Sequence, residues 1–441
     1  MKKAPSPLVS LIPIIVLVLL LFATIRTFGS DALSGGSQVS LLTTTAICIL
    51  IGMVFYKIPW KDYELAITNN IAGVATAIII LLIIGALSGI WMISGVVPTL
   101  IYYGMQIIHP SFFLASTCII CALISVMTGS SWTTIATIGI ALMGIGKAQG
   151  FEDGWIAGAI ISGAYFGDKI SPLSETTILA SSITDTPLFR HIRYMMITTV
   201  PSLVITLIIF TVAGFSHDAN NTQHIAEVAT ALNEKFHITP WLLIVPVATG
   251  ILIAKKVPSI VTLFLSTLLA AVFALIFQPD LLEEISGIAA SGFDSLFKGL
   301  MMTIYGETNL HTNNAVLTDL IATRGMSGMM NTIWLILCAM CFGGAMTASG
   351  MVGSITSIFV RFIKKTVSVV SATVCSGLFL NLTTADQYIS IILTGNMFRD
   401  IYAKKGYESC LLSRTTEDAV TVTSVLIPWN SCGMTQATIL S

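Results

Sequence analysis

The chain has 441 residues, 55% hydrophobic and 10% charged, with a mean hydropathy of +0.89. That is about half the charge of an ordinary soluble protein and more apolar surface than a water-soluble fold can hide, so the sequence reads as a polytopic membrane protein. Its 21 basic and 22 acidic residues leave a net charge of -1 with no long basic block, which excludes a nucleic-acid binder.

Met1-Lys2-Lys3 precede an apolar run from Leu8 to Ala23 that is long enough to span and has no clear small-residue cleavage site, so a retained first helix is expected. A hydrocarbon layer of about 30 Å sets the length of each further span. These fall near 39–56, 71–94, 96–108, 111–127, a broken 154–184, 195–215, 239–254, 257–278, 332–349, 352–363, 366–380 and a broken 408–440. The polar run from Ser216 to His224, with Glu227, Asn233, Glu234 and Lys235, predicts a solvated loop and a short surface helix separating two halves. Arg190, His191 and Arg193 mark one cytoplasmic loop by the positive-inside bias and Lys255-Lys256 another; Arg361, Lys364 and Lys365 fit that count poorly and leave orientation open. The chain stops at Ser441 inside an apolar run, which raises the expectation of a trimmed tail.

Cys118-x-x-Cys121 and Cys338-x-x-Cys341 lie inside apolar spans without a neighbouring His, so packing is expected of them rather than zinc or redox chemistry. Met301-Met302 and Met329-Met330 read the same way. Gly144-Ile145-Gly146-Lys147 lacks the earlier glycine and the following Ser or Thr of a phosphate loop, and neither a His-Glu-x-x-His nor a nucleophile elbow occurs. No enzyme and no cofactor are expected; the energy must come from a gradient.

The chain repeats itself. Ser94-Gly95 ends an apolar helix, as does Ser349-Gly350; Ser130-Ser131-Trp132-Thr133-Thr134 follows the first and Asn381-Leu382-Thr383-Thr384 the second. Next come Gly150-Phe151-Glu152-Asp153 and Gly406-Tyr407-Glu408-Ser409, and each copy then reaches a Ser-x-x-[Ser/Thr]-Glu run: Ser171, Ser174, Glu175 and Ser413, Thr416, Glu417. The expected organisation is N-terminal helices at 1–63, a first repeat at 64–196, connecting helices and loops at 197–317 and a second repeat at 318–441. The short stretch from Ile135 to Gly146 suits half of a re-entrant hairpin. An odd number of helices per repeat would make the two copies inverted, and paired interrupted segments point to a midplane transport site.

Hydrocarbon offers no partner to a charge or a free backbone group, so the polar run from Gly167 to Thr177 must line a protein-walled cavity. Pro172 and Pro428 break helical geometry just before themselves and free carbonyl groups to face an ion. Asp168, Glu175, Asp386, Glu417 and Asp418 are carboxylates in membrane-depth sequence, where burial lets a proton and a sodium ion compete for one group. Structural ion pairs are the alternative, for instance Arg414 with Glu417. Thr133, Thr134, Thr383 and Thr384 could equally bond their own helix carbonyls. The run from Gly306 to Asn314 reads as a solvated loop, with a gate as the alternative.

Gly167-Asp168-Lys169-Ile170-Ser171-Pro172-Leu173-Ser174-Glu175-Thr176-Thr177, together with Ser413-Arg414-Thr415-Thr416-Glu417-Asp418 through Leu426-Ile427-Pro428-Trp429-Asn430-Ser431-Cys432-Gly433, resembles the NhaC-type sodium/proton antiporter family over nearly the whole chain. The resemblance implies an all-α inner-membrane antiporter with two inverted repeats, each bearing a re-entrant hairpin and a broken transmembrane helix. It places one sodium ion among Ser130, Ser131 or Thr133 with Ser171 and Ser174, and a second among Asn381, Thr383 or Thr384 with Ser413 and Thr416. It further implies sodium and protons as transported ions, a lipid bilayer and often a second copy as partners, and, for some members, malate, lactate or amino acids as solutes. Glu175 stands where Asp is common in the family, Ile178 where Asn is common, and Ala419-Val420 where a Ser-Gly-like pair is usual.

Two functions compete. One is sodium/proton antiport on the five carboxylates; the other is coupled exchange of a small carboxylate or amino acid, held by Arg414, Trp429 and Asn430 or by a helix N-terminus. A channel with acidic rings fits broken, repeated helices less well than alternating access does.

Overall fold

A computed structural model describes residues 5–28, 35–216, 222–255, 257–288, 290–308, 310, 312, 318, 321–361 and 366–440. The N-terminal Met1-Lys2-Lys3, the loop residues 217–221, Lys256, Lys364, Lys365, Ser441, and Asn309, His311, Asn313 and Asn314 of the polar run lie outside the described residues.

The described chain is helical, punctuated by Gly and Pro. In order, the helices are α1 (Pro7–Phe28), α2 (Gly36–Tyr56), α3 (Trp60–Gly73), α4 (Ala75–Ile93), α5 (Val96–Ile107) and α6 (Phe113–Thr128). Then come α7 (131–148, with a π-helical turn at Ile135–Gly139), α8 (Asp153–Ile170), α9 (Glu175–Ile183), α10 (Leu188–Ser216) and α11 (Thr222–Lys235). They continue with α12 (Ile244–Ala254), α13 (Ser259–Phe277), α14 (Pro279–Ser286), α15 (Phe293–Tyr305), α16 (Met330–Ala348) and α17 (Met351–Arg361). The last four are α18 (Thr366–Thr384), α19 (Gln387–Lys404), α20 (Ser409–Ser424) and α21 (Ser431–Leu440).

Among the described residues, eight helices are long and apolar enough to cross a membrane, or nine if the pair Glu227–Lys235 and Pro240–Ala254, bent by 92°, counts as one span. The chain is a multi-pass membrane protein. Both expected breaks exist: α8 gives way to α9 through residues 171–174, and α20 to α21 through residues 425–430. Hydropathy does not single out α19, which carries Arg399, Asp400 and Lys404, because its buried Ile391 and Phe398 pack on protein rather than lipid.

The helices gather into two compact units. The first comprises residues up to Ile78, Glu175–Met195 and Asn331–Gln436. Its core joins Val369 of α18, Phe398 and Tyr402 of α19 and Leu412 of α20; a second cluster of Ala180, Ile391 and Val420 seats α9 on α19 and α20. The other unit comprises Ile79–Ser174, Met196–Met330 and the residues from Ala437 on. Its closest helix pairing is α6 with α8, where a Cβ at Gly163 would strike the Cys118 carbonyl and one at Gly167 the Ala122 carbonyl. Without a hydrophobic force between helices in lipid, such small-residue contacts supply the attraction. Cys118, Cys121 and Cys338 are buried, unpaired cysteines.

Left-handed backbone turns recur along the chain at a near-constant spacing. Left-handed residues end the equivalent helices at Gly95 and Gly350, Gly129 and Ala385, and Gly150 and Gly406, which are 255, 256 and 256 positions apart. This register corrects two sequence pairings. Ser130 corresponds to Asp386, not to the Asn381–Thr384 stretch, which ends the helix before the turn. The break after α8 corresponds to 425–430, so Ser413, Thr416 and Glu417 are not the counterparts of Ser171, Ser174 and Glu175.

Candidate functional site

In the second of the two units, α6 stops at left-handed Gly129 and the chain re-enters a helix at once. A Cβ at Gly129 would collide with the Leu173 backbone, so the tip of this α6–α7 turn lies directly against the break after α8. Ser130 caps the new helix, its Oγ accepting from Thr133 N at 3.2 Å. Ser131 donates twice to Asp168 Oδ2, from its backbone N at 3.2 Å and its Oγ at 2.7 Å. Asp168 is 6% exposed, in the last turn of α8, with Lys169 equally buried beside it. Beyond it the helix ends because Ser171, before Pro172, is extended (φ -78°, ψ 129°). Ser171 Oγ donates to Val126 O at 2.8 Å and accepts from Leu173 N at 3.2 Å, which locks the broken segment to α6.

The other unit builds the related corner from different groups. α18 ends at Thr384, Ala385 is left-handed (φ +58°) and Asp386 caps α19 by accepting from Ile389 N at 3.0 Å. Ser431, first residue of α21, donates its Oγ to Asp386 Oδ2 at 3.2 Å and its backbone N to Ala385 O at 2.8 Å. In one corner the carboxylate stands on the helix before the break and the hydroxyl on the turn; in the other the carboxylate stands on the turn and the hydroxyl at the start of the half-helix after the break. Asn381 Nδ2 reaches Val420 O at 2.7 Å and Thr423 Oγ1 at 3.0 Å, while Asn430 Nδ2 donates to Asn381 O at 3.2 Å and Trp429 Nε1 to Leu382 O at 2.9 Å.

Asn381 Oδ1 on α18, Thr421 Oγ1 on α20 and Gln436 Oε1 on α21 are among the buried side-chain atoms with no hydrogen-bond partner among the described residues. An unmet buried polar group costs about 1–3 kcal/mol. A hard cation, which takes oxygen ligands, is the kind of species that would offset that cost.

Not every expected site residue lies at a break. Ser413 precedes the end of α20 by eleven residues, roughly 16 Å of helix. There its Oγ meets His191 Nδ1 of α10 at 2.8 Å, both side chains wholly buried. His191 is thus an interior residue of α10, and the reading of it as part of a cytoplasmic loop is corrected. Thr416 is buried without a hydrogen-bond partner among the described residues, and Glu417 is fully buried in the same turn. Arg414 lies over the Tyr194 ring (5.0 Å to its centroid) and 3.9 Å from Asp418. Glu175 is exposed and accepts from Tyr388 OH at 3.0 Å. Thr134, Thr383 and Thr384 donate to carbonyls one turn back, and Thr133 to Ser130 Oγ. Thr308 pairs with Thr323 as an isolated antiparallel bridge, so the described part of the polar run is tied down.

Ser431, His191 and Tyr388 escaped sequence reasoning. Ser431 was within reach, since a repeat register of 256 sets it opposite Glu175 at the start of the second half-helix. Nothing local marks His191.

Residues 163–441 match the Na+/H+ antiporter family, and 401 residues are 35% identical to the Na(+)/H(+) antiporter NhaC of Bacillus subtilis, spanning 90% of this chain and 85% of that protein. The chain belongs to the Na+/H+ antiporter family. Within that company it is also 36% identical over 405 residues to the Malate-2H(+)/Na(+)-lactate antiporter of Bacillus subtilis, covering 91% of this chain and 83% of the relative. To the arginine/ornithine antiporter ArcD of Halobacterium salinarum it is 31% identical over 443 residues, covering 100% and 87%. These relatives are antiporters, and this family member is a transporter rather than an enzyme.

Proposed function

We propose that this protein exchanges sodium for protons across the inner membrane by alternating access of two inverted repeats, with Asp168 and Asp386 as the groups that carry proton or cation. The observation that carries the reading is the pair of buried carboxylates, each set at a helix break and held by one hydroxyl from the opposing segment. A bare carboxylate inside the bilayer is costly, whereas a protonated or sodium-bound one is not. A segment bearing such a group therefore crosses the barrier only when loaded, and exchange of one cation for the other follows. The orphaned oxygens of Asn381, Thr421 and Gln436 add ligands of the kind sodium takes.

The relative named as a malate/lactate antiporter favours a second reading, in which a small carboxylate shares the site. The engagement of Arg414 with Tyr194 and Asp418 leaves it poorly placed to hold that solute. Purified protein in sealed vesicles containing a pH dye separates the two. Sodium alone is expected to drive proton flux, lost in Asp168→Asn and Asp386→Asn. Flux that requires malate, lactate or an amino acid would overturn the first reading in favour of the second.

A further inference from the structure

The unit containing α4 to α8 holds a cavity of about 340 Å³ between α4, α7, the turn Gly325–Gly328 and the end of α21. Its lining brings together Lys147, in the last turn of α7, and Arg324; among the described residues no carboxylate lines it. Lys147 shares its charge with the largely exposed Asp153 at 3.4 Å. The Arg324 guanidinium has no carboxylate within 4.0 Å among the described residues, and its stem is folded back over Gly328. The remaining wall sets the apolar Ile84, Met92 and Met143 beside the polar Ser88, Thr323 and Thr438. Arg324 is exposed and Lys147 half-buried, so both positive groups are open to a ligand entering the cavity.

The walls are fixed, not collapsible. A Cβ at Gly85 would strike the Gly325 carbonyl and one at Gly89 the Thr303 carbonyl, while Gly325 itself is left-handed (φ +53°) and packed on the backbone of residues 304–306. The turn that presents Arg324 is therefore held against α4 and α15 by backbone contact. A volume at the low end of small-ligand pockets suits a ligand of modest size. The planar fork of an arginine matches the paired oxygens of a carboxylate or phosphate, and basic pockets between membrane helices take lipid headgroups.

We propose that this cavity binds an oxyanion carried on an aliphatic stem, the oxyanion at Arg324 and Lys147 and the stem along the methionine wall. The anion could come from the bilayer as an anionic lipid headgroup or from solution as a short-chain carboxylate. Neither cation belongs to the transport corners, so the site stands apart from the antiport reading.

Equilibrium binding to the purified full chain in neutral detergent tests it, with phosphatidylglycerol, phosphatidylcholine and butyrate as probes. Saturable binding of phosphatidylglycerol or butyrate, without phosphatidylcholine, is the expected result. Phosphatidylglycerol alone identifies the bilayer as the source, and butyrate identifies solution. Arg324→Gln and Lys147→Gln are each expected to weaken that binding by about tenfold or more. Ala322→Trp, at an exposed position in the cavity mouth, keeps both cations and the fold but is expected to block entry. No saturable binding of either anion, phosphatidylcholine binding as tightly, or affinity unchanged in Arg324→Gln and Ala322→Trp would overturn the proposal.

Discussion

Substitution of Asp386 by Asn and by Ala separates the charge of this group from its structural work. The carboxylate caps α19 through Ile389 N at 3.0 Å and receives Ser431 Oγ at 3.2 Å. Asn caps about as well as Asp, and its amide can donate to the Ser431 oxygen, so Asp386→Asn is expected to cost only a few tenths of a kcal/mol of stability. Asp386→Ala loses the cap, about 1 kcal/mol, and orphans the buried Ser431 hydroxyl, about 1–3 kcal/mol more. Transport should respond differently. Opposite unit charges about 4 Å apart at an effective dielectric constant near 20 attract by about 4 kcal/mol, so removing the charge should weaken sodium binding by about a thousandfold. Sodium dependence of proton flux in vesicles, beside the thermal unfolding midpoint in detergent, reads both effects. Asp386→Asn should unfold like the wild type yet lose flux. Retention of flux with a half-saturating sodium concentration within about tenfold of wild type would refute the argument, because the charge would then not be what the cation meets.

Ser131→Ala deletes the 2.7 Å donor to Asp168 and leaves the backbone donor in place. A bond to a charged group is worth about 1.5–3 kcal/mol, so a shift of about tenfold or more in half-saturating sodium or proton concentration is expected, and an unchanged pH profile of flux would count against a coupling role for Asp168. Ala385→Gly should raise the unfolding midpoint, since left-handed backbone costs a residue with a Cβ about 1–2 kcal/mol and the first repeat already has Gly129 there. His191→Ala takes a wholly buried partner from Ser413 and should destabilise the protein by about 1–3 kcal/mol, measured by chemical unfolding. At the exposed start of α20, the Cys410 thiol and the Arg190 guanidinium hold the Glu408 carboxyl below its ordinary range. Its folded value is lower than its unfolded one, so its contribution is complete above the ordinary Glu range near about 4.3 and vanishes as pH falls through the folded value; Glu408→Gln should flatten that part of the stability–pH curve.

The sequence alone determined the membrane class and both helix breaks, because bilayer burial admits charge, proline and polar runs only where protein covers them. Asp168, Ser131 and Asp386 were legible for that reason. The register of the repeat was not: in the second copy the left-handed turn falls on Ala385, where the first has Gly129, so the local signal that fixes the alignment is absent. Nor could α19 be seen by hydropathy, since its charged Arg399, Asp400 and Lys404 lower the mean while one face packs on α18 and α20. Only the tertiary structure decided which hydroxyl meets which carboxylate. It drew Ser431 to Asp386 across 45 residues, gave Ser413 to His191 across 222, and left Glu175 at the surface with Tyr388. Such pairings depend on how the helices pack around each break, and a hydroxyl carries no mark in the sequence of the partner that packing will bring to it.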